Sequence, residues 1–142
     1  MKGFQKIKHC SFLLLVLLSS CASFIVTPAS LEEQLKTNHA SGKLTNGQKV
    51  SLIKYAANSL ERIKCLDKKG NEVWLKVDAN TQILFKKTDG TYFQAYFDSV
   101  TLRNDTIYSL ESRISGGHQI NLLKHIESVK IKSEFPKTEF VR

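Results

Sequence analysis

Much of the chain after residue 60 alternates between apolar and polar residues. Val73, Leu75 and Val77 are apolar, whereas Glu72, Lys76 and Asp78 are polar, the period of a strand with one face buried. Leu60–Leu66 carries Ile63 and Cys65 in the same register, and Asp67-Lys-Lys-Gly70-Asn71 lies between the two runs. This predicts a hairpin. A second is predicted from Gln82–Lys87 and Thr91–Phe97 around Thr88-Asp89-Gly90, and a third from Val100–Arg103 and Thr106–Glu111 around Asn104-Asp105. Upstream, Val50, Leu52, Ile53 and Tyr55 mark a strand entered through Asn46-Gly47 and broken at Ala56-Ala-Asn-Ser59. Downstream, Ser115-Gly-Gly117 leads into a strand at His118–Leu122. Lys124–Glu127 reads as one helical turn, and Ser128–Ser133 closes the series. Pro28 and Pro136 both fall outside these strands, as a continuous ladder requires. The pattern predicts an all-β fold, an antiparallel meander forming a small barrel or sandwich.

Residues 22–42 break this rhythm. Pro28, several Ser and Thr, and few large apolar residues after Val26 read as an extended tether. Within it, Ser30-Leu-Glu-Glu33 has the form of a capping box, with Leu31 and Leu35 four apart. That predicts a short helix through about Thr37, stable only if it packs on the domain.

The first residues carry a different signal. Lys2, Lys6 and Lys8 precede the apolar run Ser11-Phe-Leu-Leu-Leu-Val-Leu-Leu18, and no acidic residue occurs before Glu32. A charged start, a short apolar stretch and small residues at its end describe a secretory signal peptide. The run falls well short of the ~20 residues of a spanning helix. Leu18-Ser-Ser-Cys21 resembles the lipobox of bacterial lipoproteins. That resemblance implies a diacylglycerol on the Cys21 thiol and cleavage just before it. The expected organisation is therefore a signal peptide at 1–20, a lipidated cysteine and tether at 21–42, and an all-β domain at 43–142. Ala22, which is not aspartate, leans the expected address towards the outer membrane.

A wider similarity runs from about Gln48 to Ser133. Trp74-Leu-Lys-Val-Asp-Ala-Asn80, Lys87-Thr-Asp-Gly90, Tyr96-Phe-Asp-Ser-Val100, Asn104-Asp-Thr-Ile-Tyr108 and Ile126-Glu-Ser-Val-Lys-Ile131 resemble small, uncharacterised all-β lipoproteins of Gram-negative bacteria. Those motifs are turns and core positions. They imply the fold and the address, and no catalytic residue.

Charge and cysteine content narrow the chemistry. Three of the 21 Lys and Arg lie before Cys21, so the remainder exceeds the 13 acidic residues by only a modest margin. Such an excess keeps a small β-protein soluble and its strand edges unpaired, and suits anionic lipid surfaces. Nucleic acid is not expected as a partner, because no recognition module accompanies it. Of Cys10, Cys21 and Cys65, only Cys65 would remain unmodified in the domain, which gives no disulfide framework and no zinc set.

Candidate sites are few. Trp74, Tyr92, Tyr96 and Tyr108 fall on polar strand faces and form a candidate binding surface for a glycan or an envelope protein. Asp98-Ser99-Val100 and Asp105-Thr106-Ile107 resemble the acceptor motif of an envelope O-glycosylation system, which marks Ser99 and Thr106. His118 and His125 assemble no metal set or catalytic triad in sequence, so neither an enzyme nor a cofactor is expected. The functional expectation is a lipid-anchored, non-catalytic binding or accessory module of the cell envelope, reaching the membrane through its lipid. A lipid- or glycan-binding barrel is the alternative, and a small hydrolase a more distant one.

Overall fold

The computed structural model describes residues 22–37, 43–46 and 54–141. The expected signal peptide, Cys21 and most of the strand predicted around Val50–Ile53 lie outside these residues. The strands are β1 (Ala22–Val26), β2 (Lys43–Asn46), β3 (Lys54–Ala57), β4 (Arg62–Leu66), β5 (Glu72–Lys76) and β6 (Gln82–Lys87). They continue with β7 (Tyr92–Tyr96), β8 (Thr101–Arg103), β9 (Thr106–Leu110), β10 (His118–Leu122), β11 (Ile126–Ser133) and β12 (Thr138–Phe140). Among the described residues the α-helix, α1, spans Pro28–Thr37.

A seven-stranded sheet runs β12-β5-β4-β1-β11-β6-β7, beside a three-stranded sheet β10-β9-β8 and the pair β2-β3. Every pairing is antiparallel. The fold is all-β, as the alternation predicts.

The three predicted hairpins form where their turn residues place them. Gly70 and Gly90 adopt φ of 83° and 85°, conformations that a Cβ penalises and glycine does not. Asp67 accepts from the backbone N–H groups of Lys69 and Asn71. Hydrogen bonds from the side chain and backbone of Asn71 hold its carboxyl below the usual range. Asn104 and Asp105, at φ 47° and 58°, make the two-residue turn between β8 and β9 that matches strand twist. The helical turn expected at Lys124–Glu127 is a 3-10 turn at Leu123–His125, and β11 begins at Ile126.

The expected tether is corrected. Ala22–Val26 pairs residue for residue with Ser133–Val129 of β11, and Ile25 also pairs with Leu66 of β4. This places β1 in the middle of the large sheet. Phe24 and Val26 enter the core, while Ile25 points out, 46% exposed. Burial of two large side chains and a complete ladder outweighs the small-residue composition that reads as a spacer.

Helix α1 starts two residues before the expected cap. Thr27 is the capping residue, its Oγ1 accepting from the Ser30 N–H at 3.2 Å, and Pro28 occupies the first helical position. Leu31 and Leu35 are buried against the sheet. The Gln34 side chain then extends the ladder. Its Nε2 donates to the Lys64 carbonyl at 3.0 Å, and its Oε1 accepts from the Lys64 N–H at 2.7 Å. The amide thus serves Lys64 as a strand neighbour does, two residues beyond the Ile25–Leu66 pair.

Alternation fixes the core. Ile63, Cys65, Val73, Leu75, Ile83, Phe85, Phe93, Val129 and Ile131 are buried together, joined by Val100 and Ile107 from the β8–β9 region. The Phe85 and Phe93 rings stack with centroids 4.5 Å apart. β12, short and beside Pro136, has no counterpart in the predicted series and pairs with β5 as an edge strand.

Candidate functional site

The four aromatics expected to form one surface lie apart. Trp74 is on β5 and Tyr92 and Tyr96 are on β7, with β4, β1, β11 and β6 between those strands in sheet order. Tyr108 belongs to the small sheet. Each does point away from the core, as alternation predicts, but no single strip results.

Trp74 lies under the Arg62 guanidinium, 4.7 Å from the ring centre. It borders a surface cleft of about 750 Å³ with Lys76, Lys137 and Glu139. Tyr92 is exposed beside a cleft of about 370 Å³ that follows β7 and reaches Glu111 and Gln119. Tyr96 is covered by Arg113, whose guanidinium carbon sits 4.1 Å from the ring centre. This leaves Tyr92 the more accessible of the pair.

Arg113 is a residue the alternation could not single out. It is 7% exposed, and its Nη2 donates to the Ala79 carbonyl at 2.6 Å and to Asp98 at 2.8 Å. It joins the loop after β9 to the turn before β6 and to the 3-10 turn Phe97–Ser99. Asn58 supports that turn from the other side, donating to the carbonyls of Phe97 and Val100.

Ser99 is a correction among the modification candidates. It is 4% exposed; its hydroxyl donates to the Tyr96 carbonyl and accepts from the Leu110 N–H. A glycan there would require breaking both bonds and opening the core edge. Thr106 is half-buried at the β8–β9 turn.

Cys65 is the other reactive type. Its thiol is buried, and burial pushes its pKa up to about 12. A thiol held protonated at neutral pH is no nucleophile. Among the described residues, no group of three or more His, Cys, Asp or Glu is placed to hold a metal ion.

The feature that distinguishes this surface is β10. Its apolar residues face solvent: Ile120 is 65% exposed and Leu122 40%. Gln119 and Asn121, on the other face, are half-buried. Asn121 pairs with the buried Ile107, and Ile120 pairs with Tyr108. The Asn121 amide nitrogen and the Ser109 hydroxyl are buried with no hydrogen-bond partner among the described residues. This orientation is the reverse of a strand that packs its apolar side inward. Tyr108, Ile120 and Leu122 thus form a contiguous apolar surface on the outer side of β9 and β10. The alternation of His118–Leu122 was readable; the side on which the core lay was not.

No protein-family model, curated protein or solved structure matches the chain.

Proposed function

We propose that this chain is a lipid-anchored protein of the bacterial cell envelope. In this reading it acts as a non-catalytic binding module, docking another envelope protein on the outer face of β9–β10. The observation that carries the docking reading is the reversed strand β10, with Ile120 and Leu122 outward beside Tyr108. Apolar residues held in water on an edge strand gain free energy when a partner covers them. The lipobox resemblance at Leu18–Cys21 supplies the address. The interior favours this reading over a ligand-binding barrel. Phe85, Phe97, Ile63, Leu75, Ile83 and Ile131 are fully buried and packed together, so the aromatic residues fill the centre.

The test is a photoreactive residue at position 120, compared in intact cells with one at Lys130, which is exposed on β11 of the large sheet. The expected result is a discrete adduct with another envelope protein from position 120 only. Tyr108→Asp should abolish it, while changing stability by no more than about 0.5 kcal/mol, as for an exposed site. Adducts solely within the chain itself, for instance to residues 47–53, would show an internal face and contradict docking.

A further inference from the structure

We propose that the end of the large sheet around Ala22 is a membrane-contacting rim, seated in the headgroup layer of the bilayer that holds the lipid on Cys21. The inference rests on lipidation at that cysteine, and it goes further by fixing how the domain meets the membrane. Ala22 is already the first residue of β1 and is paired with Ser133, so no spacer separates the anchored residue from the sheet.

The register identifies what else lies at that end. β11 finishes at Ser133, and the chain leaves through Glu134, Phe135, Pro136 and Lys137. Ile25 pairs with Leu66 in an antiparallel register, so the turn Asp67–Asn71 that follows β4 lies level with Ala22. β12 ends beside the same turn: Phe140 pairs with Val73, and the Val141 N–H donates to the Glu72 carbonyl at 3.3 Å.

Phe135 therefore lies close to the start of β1, with the Lys68–Lys69 turn one strand away, while Phe140 stands at the end of the edge strand β12, three strands from β1 and level with Val26. Phe135 is 84% exposed and Phe140 73%, the most exposed aromatic residues among those described. Lys68 and Lys69 are exposed at the tip of the turn, and Lys132 lies opposite Ser23. Glu134 and Glu72 are exposed acids beside them, Glu72 paired with Lys64 at 3.0 Å, while the Asp67 carboxylate is occupied by the N–H groups of its own turn.

Short reach favours the contact. One extended residue spans about 3.5 Å, and the headgroup region is roughly 5–8 Å thick on each side of the hydrocarbon core. Acyl chains on Cys21 hold Ala22 within that layer, and the neighbouring loop and turn enter with it. Exposed phenylalanines and lysines suit this boundary, with rings towards the acyl chains and ammonium groups on anionic headgroups. Water alone offers the two rings no such partner.

The experiment uses the full chain, processed in cells and reconstituted into vesicles of phosphatidylethanolamine and phosphatidylglycerol. Intact mass first establishes whether lipid is attached. An environment-sensitive fluorophore is then placed on Phe135→Cys, on Phe140→Cys and on Thr88→Cys. Thr88 follows Lys87, which pairs with Ile126 at the opposite end of the sheet, and Cys65 is buried and stays unlabelled. With a seating depth of about 5–10 Å, a quencher carried at headgroup level should act about fivefold more strongly at positions 135 and 140 than at 88. Lipid in the mass with equal quenching at all three positions overturns the rim and leaves the anchor standing. A mass without lipid overturns the anchor itself, and the rim with it.

Discussion

Phe24→Asp will yield a chain that does not fold, whereas Ile25→Lys, one residue further along the same strand, will be tolerated. Phe24 is 5% exposed within the core, and Ile25 is 46% exposed on the outer face. A carboxylate at position 24 must be buried without a cation or must displace the strand. Either costs several kcal/mol against a total stability of about 5–15 kcal/mol. Losing β1 also removes the partner of β11 along five paired residues and separates β11 from β4. Far-UV circular dichroism and protease resistance of the purified variants are the measurements. Expected are a cooperative transition near wild type for Ile25→Lys and none for Phe24→Asp. If Phe24→Asp unfolds cooperatively within about 1 kcal/mol of wild type, Ala22–Val26 is a spacer and the central strand is wrongly placed.

Arg113→Ala is the second large effect. Removing one member of a fully buried ion pair costs about 3–5 kcal/mol, and here Arg113 is buried while Asp98 is partly so. The Asp98 side chain is 26% exposed and can recover some hydration, which places the expected loss at the lower end, about 3 kcal/mol. The Ala79 carbonyl loses its donor and Tyr96 its cover in the same change. Arg113→Lys should recover part of the loss, since an ammonium keeps the charge but not the planar fork over the ring. Urea denaturation reports both variants, and a loss below about 1 kcal/mol for Arg113→Ala would place the pair among weak surface interactions.

Local chemistry made the hairpins legible. Asp67–Asn71, Thr88–Gly90 and Asn104-Asp105 each determine their own turn within a few residues, and alternation then assigns each side chain to a face. β1 was hidden because its main partner, β11, lies more than a hundred residues away. Ala-Ser-Phe-Ile-Val next to Pro28 also carries only two inward positions. Nothing in a sequence window records a pairing at that separation. β12 was hidden for a related reason, being three residues long, exposed throughout and preceded by Pro136.

The binding surface divides along the same line. Alternation placed Trp74, Tyr92, Tyr96 and Tyr108 on outer faces, but lateral strand order decides which of them meet, and that order is a tertiary property. Ile120 and Leu122 show the converse case. The sequence placed a strand there without assigning its faces, and β10 turns its amides inward and leaves Ile120 and Leu122 in water. This departure from the inward rule is the observation on which the proposed docking rests.

Cys21 decides whether the protein is held at a membrane, and the direct measurement is membrane fractionation with intact mass spectrometry of wild type and Cys21→Ala. Expected is wild type in the membrane fraction, beginning at Cys21 and heavier by a diacylglycerol with or without a further acyl group. Cys21→Ala should leave the membrane fraction and lack that mass. Wild type recovered soluble and cleaved elsewhere, at the mass of unmodified peptide, would contradict the anchor and make this a diffusible binding protein.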